Sequence, residues 1–374
     1  MSTSLCRNWR GSRSWGLLCW ALLAVSPGAR AELTLPEAER LALAADPAVV
    51  GAYARANALQ NQAVADGQLP DPKLGFGAYN VPLYDFSLDQ EPMTQLYTRV
   101  QQTFPRGDTL RYQRQHTEWL GKAELAQAQL ARREIQRDVR ATFLELYYQQ
   151  RAASVVEHSR DLFQQLLEIT RSHFATGRVS QQDVLQAQLE LSRLEDRAAT
   201  IEGDIEEQRA RLARWLGDYA WQPVGAGFPV LPALPALTEL EAGLPQHPAV
   251  QAASAQLQAN QEMVKAAREQ YKPGWDVGLE YRKRFAEDAR GDDLPDMMAA
   301  MVTMDLPLFT GKRQDKRLAA SRQNAEAARQ MREQRLRELR RALQTEYARW
   351  KRLGELREES RRRRVEGLML KQLD

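Results

Sequence analysis

Asp46-Pro47-Ala48-Val49 returns later in the chain as His247-Pro248-Ala249-Val250. The same step carries Pro72 to Pro273 and Gly77 to Gly278. Pro105 returns one residue late as Pro307, and Gly107 returns as Gly311. The chain therefore writes one object twice. Each copy reads as short helices, a pair of alternating strands, then a very long helix. Two strand pairs are too few to close a barrel, and helices this long are too long for a globular domain. A chain with that mismatch completes itself by joining identical copies.

The strand pairs are set off by prolines. Leu69-Pro70-Asp71-Pro72 ends helical structure, because proline lacks the backbone donor and restricts the residue before it. Beyond it the period changes to two. Lys73 to Tyr79 puts Leu74, Phe76 and Ala78 on one face and Gly75, Gly77 and Tyr79 on the other. Gln95 to Phe104 opposes Leu96, Thr98 and Val100 to Tyr97, Arg99 and Gln101. In the second copy Trp275, Val277, Leu279 and Tyr281 oppose Asp276, Gly278, Glu280 and Arg282. Met298, Ala300, Val302, Met304 and Leu306 return on an apolar face, with Asp305 opposite. Strands of about ten residues with one apolar and one polar face have the pattern of transmembrane barrel strands. Soluble hairpins packed on a helical body carry the same pattern, and pattern alone does not separate the two. Ala286 to Asp296, between the second pair of strands, is an acidic loop.

The helices carry the strongest local signal. Thr109 to Ala175 contains no proline and no glycine except Gly121. A helix that long reaches ~100 Å. After Gly177 a partner helix runs from Gln181 to Leu216. Its seam is Val184, Ala187, Leu191, Leu194, Ala198, Ile201, Ile205, Gln208, Leu212 and Trp215, alternating steps of three and four without a slip. That is a heptad, the pattern of coiled-coil packing, and Gln208 is its one polar member. Ser180 and Asp183 stand at capping-box spacing, so Gly177 marks the tip of a helical hairpin. Pro223, Pro229, Pro232 and Pro235 form a stiff linker. The second copy opens at Leu237 to Leu244. Its long helix, Lys312 to about Leu370, lines up Leu336, Leu339, Leu343, Tyr347 and Trp350 where the first copy has Val139, Phe143 and Tyr147.

The beginning of the chain reads as a secretory signal. Arg7, Arg10 and Arg13 precede the apolar run Trp15 to Val25, and Ala29-Arg30-Ala31 fits the cleavage pattern. Both cysteines, Cys6 and Cys19, lie inside it, so disulfides and thiolate metal sites are not expected. Leu18 before Cys19 argues against lipidation. After the signal no stretch approaches the roughly twenty apolar residues of a membrane-spanning helix. An exported chain of this kind enters a membrane only as a closed β-barrel. The formal net charge is +3, with 27% charged residues, which suits solvated helices better than a nucleic-acid binder. The Arg361 to Arg364 run, beside Glu355, Glu358 and Glu359, reads as a solvated helix face. His116, His158, His173 and His247 have no metal-ligand spacing, and no nucleophile elbow or phosphate loop is present. The chain is not expected to be an enzyme, and no cofactor or metal site is expected. Met93, Met297, Met298, Met301 and Met304 could act as soft ligands, but methionine more often fills apolar surfaces.

Signal, repeat, proline-bounded strand pairs and the hairpin segment from His173 to Gln188 resemble the TolC family of outer-membrane efflux channels. Asn80-Val81-Pro82, Asp89 to Thr94 and Gln102 to Gly107 are similar to its heavy-metal efflux branch. The resemblance implies a mostly helical fold with membrane β: long coiled-coil helices and four barrel strands per subunit. It divides the chain into a signal (1–31), a first repeat (32–217, with strand pair 73–104 and hairpin 109–216), a linker (218–235) and a second repeat (236–374, with strand pair 274–306 and long helix 312–370). It implies a homotrimer with a twelve-stranded barrel in the outer membrane above an α-helical periplasmic tunnel. The partners implied are outer-membrane lipid, a periplasmic adaptor and an inner-membrane pump, with no nucleic acid. The role is a passive export duct for small molecules or metal ions, in tripartite efflux or type I secretion. Gly177, Arg178, Ser180 and Asp183 are the expected adaptor-contacting tip. Pro72, Pro105, Gly107, Pro273, Pro307 and Gly311 are the expected strand–helix junctions. The acidic loop is expected to face outside the cell.

Measured against the first copy, the second is expected to be incomplete. The counterpart of Gly177 falls beyond Asp374, so the comparison predicts a fragment, a truncated gene or an impaired duct. The competing reading is a periplasmic coiled-coil adaptor or a structural protein of an efflux system. An adaptor requires a lipoyl-like or small β-barrel domain flanking a single hairpin, whereas here strands lie between helices in both copies.

Overall fold

The computed structural model describes residues 32–44, 46–225, 227–228 and 234–370, with side chains through residue 360. The signal, Ala45, Pro229, Pro232, the side chains of Arg361 to Arg364 and residues 371–374 lie outside what is described. The first copy contains helices α1 (Leu35–Ala44) and α2 (Pro47–Asp66), strands β1 (Lys73–Tyr79) and β2 (Gln95–Phe104), and helices α3 (Thr109–Ala175) and α4 (Gln181–Leu216). A 3-10 turn, Gly217–Trp221, follows. The second contains α5 (Leu237–Gly243), α6 (Pro248–Glu269), β3 (Gly274–Arg284), β4 (Met297–Asp305) and α7 (Gln314–Leu370).

All four strands form one antiparallel sheet in the order β1-β2-β3-β4. The two copies meet in its middle, where Val100 pairs with Leu279 and Phe104 with Trp275. Strands β1 and β4 are left as open edges. Side chains alternate across a strand, so this pairing places the apolar positions read from the sequence on one face, except Leu306, which lies just past β4.

Helix α3 has 67 residues and is the spine of the molecule. Helices α1, α2, α4 and α6 all pack on it, and α7 packs on α6. Where α1, α3, α4 and the 3-10 turn meet, Leu33, Val139, Leu146, Leu212 and Ala220 are fully buried. Burying one such leucine contributes roughly 1.5–3 kcal/mol. Further along, small residues do the packing. Ala56 and Ala63 of α2, Ala126 and Ala128 of α3, and Ala255, Ala259 and Ala266 of α6 are buried. At Gly121 a Cβ would stand 3.6 Å from Leu59 and 3.7 Å from the Ala56 carbonyl, so the backbones of α2 and α3 are already in near contact. Every residue of the heptad seam on α4 is buried or half-buried against α3. On α7, Leu336, Leu339, Leu343 and Tyr347 form the less exposed face, but Trp350 is exposed.

The repeated start of α2 and α6 is a pair of N-caps with different chemistry. Asp46 accepts from the backbone N–H of Ala48 at 2.8 Å. His247 takes the same part with Nδ1, which accepts from Ala249 N–H at 3.2 Å. Only a neutral ring can accept there. Burial, and then the nearby Arg133 cation, hold the His247 pKa below its ordinary value. A depressed pKa means that this cap's contribution is present above the ordinary histidine range and is lost as pH falls through the lowered value. Replacing His247→Asp restores the cap of the first copy. Protection of the amides in the first turn of α6, taken relative to the intrinsic exchange rate at each pH, is expected to fall as pH drops through the lowered His247 value in the native chain and to persist in the variant.

Candidate functional site: a two-faced sheet, its junctions and the hairpin tip

The apolar face of the sheet has no cover. Phe76 is 70% exposed and Met298 79%, and Leu74, Val100, Leu279 and Val302 are exposed beside them. Among the described residues no helix packs over this face, so among them the arrangement of soluble hairpins on a helical body is not the one found. Aromatic residues sit toward its ends. Phe104 and Trp275 are paired at one end, while Tyr281 lies toward the other, with Tyr84 and Phe86 in the loop beyond. From Trp275 to Phe285 the chain rises roughly 30 Å. Tilted as in a barrel, that approximates the ~25 Å apolar band of an outer-membrane protein, which aromatic girdles flank.

The opposite face is polar and organised by tyrosines and arginines. A Cβ on Gly77 would lie 2.4 Å from the Tyr97 ring, so that glycine is the space into which the ring folds. Tyr97 stacks on Tyr79 with centroids 4.6 Å apart. Glu280, 4% exposed, accepts from Arg99 Nε at 2.6 Å and from Arg282 Nε at 2.5 Å. Arg99 also donates to the Tyr79 hydroxyl at 3.0 Å, and Arg282 lies 5.2 Å over the Tyr79 ring. Further along, Asp276 accepts from the hydroxyl of Thr103 at 2.5 Å and from Gln101 Nε2 at 3.2 Å. The methionines are not gathered. Met297 and Met301 occupy polar-face positions, Met298 and Met304 are on the apolar face, and Met93 lies in the β1–β2 loop.

The strand–helix junctions are stitched across the repeat. Pro72 and Pro273 immediately precede β1 and β3, Pro105 immediately follows β2, and Pro307 lies just past β4. Gly107 has φ +48°, and a Cβ there would be 2.0 Å from Glu269 Oε2. Glu269, at the end of α6, accepts from Asp108 N–H at 2.8 Å and pairs with Lys272 at 2.6 Å. Burial opposes its charge, but the bonds from Lys272 and Asp108 outweigh that and hold its pKa below the ordinary carboxylate value. Arg106 donates to the Gln270 carbonyl at 2.9 Å and reaches Asp305 at 3.5 Å. The entrance to α3 is thus fastened to the entrance of β3. Gly311 sits differently: it lies in the turn before α7, its φ is not left-handed, and a Cβ there would meet nothing within 4 Å. At that junction the fastening is Tyr271 Oη, which donates to Asp315 at 2.5 Å. Glu269 and Lys272 stand one repeat step from Gln68 and Asp71, so the repeat frame marks their positions, but their contact with Gly107 requires the fold.

The hairpin tip is closed by two capping motifs. Gly177 has φ +70°. Arg178 N–H donates to the His173 carbonyl at 2.9 Å, and Gly177 N–H to that of Phe174 at 2.9 Å, forming a Schellman end to α3. Asp183 N–H donates to Ser180 Oγ at 3.3 Å, and Ser180 N–H donates to Asp183 Oδ2 at 2.8 Å. Gly177, Arg178, Ser180 and Asp183 are all exposed. The Ser180 hydroxyl and then its backbone N–H hold the Asp183 pKa below the ordinary value.

Two outcomes follow from these geometries. Gly107→Ala is expected to destabilise the protein by about 1–3 kcal/mol in denaturant unfolding. Adding Glu269→Ala should recover the part due to the clash and leave the part due to φ. At the tip, the depressed Asp183 pKa means that the cap's contribution is present above the ordinary carboxylate range and is lost as pH falls through the lowered value. Asp183→Ala should therefore speed amide exchange in the first turn of α4 at neutral pH and make little difference in strong acid.

Comparison with known proteins places this geometry. Residues 240–363 match the family model of the outer membrane efflux protein. No curated protein sequence matches the chain significantly. Among solved structures, CusC is similar with a TM-score of 0.67 at 15% identity, over 83% of this chain and 74% of that one. The outer membrane protein VceC of Vibrio cholerae gives 0.63 at 20% identity, over 81% and 75%. The CmeC outer membrane channel of Campylobacter jejuni gives 0.64 at 14% identity, over 83% and 70%. At these identities the likeness establishes the fold. The chain has the fold of the TolC-type outer-membrane channels, and its second copy matches the outer membrane efflux protein family.

Proposed function

We propose that this chain is the outer-membrane channel component of a tripartite efflux or type I secretion system, a passive duct extending into the periplasm. The observation that carries the reading is the single four-stranded sheet, open at both edges, with an uncovered apolar face backed by a polar one. Unpaired backbone groups are not tolerated in hydrocarbon, so such a sheet must close on further strands. Three copies, with β4 of each pairing with β1 of the next, close a twelve-stranded barrel by cyclic symmetry. The apolar face then meets lipid and the polar face lines the lumen.

The helices support the same assembly. Besides the seam with α4, α3 carries a second stripe at heptad spacing: Tyr148, Val155, Leu162, Leu166 and Ile169. All five are exposed, as are Leu185 and Leu189 on α4. A helix with two apolar stripes belongs in a ring of helices, where each has two neighbours. In this reading the exposed tip at Gly177, Arg178, Ser180 and Asp183 meets a periplasmic adaptor, and an inner-membrane pump supplies the energy. The proline and glycine junctions turn each strand into a tunnel helix. Small molecules or metal ions pass through. The heavy-metal variant of the reading rests on the three sequence segments alone, since the methionines are divided between the two faces and the loop.

Fractionation and conductance test the proposal. The native chain is expected with the outer membrane, as a trimer in detergent that opens pores in planar bilayers. Recovery from the soluble periplasm after osmotic shock would contradict it. Leu162→Glu with Ile169→Glu puts charges in the second stripe. The pair is expected to weaken trimer association at least about tenfold, or roughly 1.4 kcal/mol, by sedimentation.

A further inference from the structure

We propose that the polar face of the sheet carries a cationic filter that favours the passage of anions through the barrel. The inference rests on the duct reading above. It starts from the uneven distribution of charge along that face. Toward the β3–β4 loop, Arg99, Arg282 and Arg284 stand against one carboxylate, Glu280. Glu280 takes an Nε hydrogen bond from both Arg99 and Arg282, so it neutralises one of the two guanidiniums. Arg284 donates its Nε to the Pro295 carbonyl at 2.9 Å, a bond that leaves its charge in place. Toward the helices the face is balanced: Asp276 and Asp305 lie with Lys73 and Arg106. On the strands, each chain therefore presents two net positive charges in one half of the lumen and none in the other, while the acids of the β1–β2 loop, Asp85, Asp89 and Glu91, lie past the strand ends.

The cluster is built to hold its charge in place. Guanidinium stays protonated at any physiological pH. Arg99 lies 5.5 Å over Tyr97 and Arg282 lies 5.2 Å over Tyr79, and the two rings stack on each other. That stack is possible because Gly77 makes room for Tyr97. Glu280 is the keystone that fixes both arginines rather than a free acid. Around the recess, Gly278, Ala299, Met301 and Thr303 carry no charge, and Asp276, at its end nearer the helices, is held by Thr103 and Gln101. Three copies turn the cluster into a ring, and rings of arginine and lysine are the device of anion-selective pores. Low-dielectric walls focus such a field. The acids of the β3–β4 loop lie past the strand ends, and part of their charge is already engaged. Asp296 pairs with Lys283 at 3.3 Å. In open water their reach is about 8 Å. The solutes favoured are small anions, for which chloride is the probe.

The test is the reversal potential of the full chain in a planar bilayer under a potassium chloride gradient. Glu280→Gln is expected to raise the chloride-to-potassium permeability ratio. Arg282→Gln with Arg284→Gln is expected to lower it. Met301→Glu should also lower it; this variant adds a carboxylate to the same face and leaves the arginine cluster whole, so the test survives if the arginine variant does not fold. A conducting protein whose ratio none of these variants moves overturns the filter and leaves the duct standing. A native chain that opens no pore sinks the duct reading, and the filter with it.

Discussion

The constraint on which this structure depends is the backbone hydrogen bond at a sheet edge. Four strands pair among themselves and leave β1 and β4 each with a row of unmatched donors and acceptors. In water such edges are a hazard; in lipid they are forbidden. In the proposed reading, the uncovered apolar face meets lipid. A single copy can satisfy neither its edges nor the second stripe on α3, and both wants point to the same remedy, a closed ring of copies. The sheet and helices are therefore one problem with one solution.

The repeat explains how the two parts stay in step. Each copy supplies one strand pair and one long helix, and the copies are joined where β2 meets β3. The same join is reinforced at the sheet–helix boundary, where Glu269 and Gln270 of the second copy hold the start of α3. Gly107 is required there twice over: for its left-handed φ, and for the space that Glu269 occupies. The corresponding junction in the second copy uses Tyr271 and Asp315, and Gly311 has no such neighbour. Repetition of sequence has thus preserved the glycine, but neither its backbone conformation nor the means of holding the turn.

Much of this was legible in the chain. Element ends lie at prolines and glycines because those residues stop a helix or a strand by covalent geometry, which needs no tertiary context. Strand faces were legible because alternation by two is local. The heptad on α4 was legible because its steps never slip. What could not be read depends on pairing across the repeat. Nothing local joins Arg99 to Glu280 and Arg282, residues far apart in the chain; only the β2–β3 register brings them together. Glu269 beneath Gly107 is hidden for the same reason. The cap made by His247 was obscured because aspartate does that work in the first copy. The division of Met297 and Met301 from Met298 and Met304 follows from parity alone, and a cluster of like residues drew attention away from it.

The central claim is that β1 and β4 close on one another between copies, in a ring of three. Disulfide trapping tests it most directly, since the only cysteines, Cys6 and Cys19, lie in the signal-like segment. Leu74→Cys, Gly75→Cys or Phe76→Cys in β1 would be combined in turn with Ala300→Cys, Met301→Cys or Val302→Cys in β4. The membranes would then be oxidised and the products sized without reductant. The account predicts that at least one pair gives a ladder of monomer, dimer and trimer that stops there, because the third bond closes the ring. A ladder running past the trimer, or monomer alone from every pair, would contradict it.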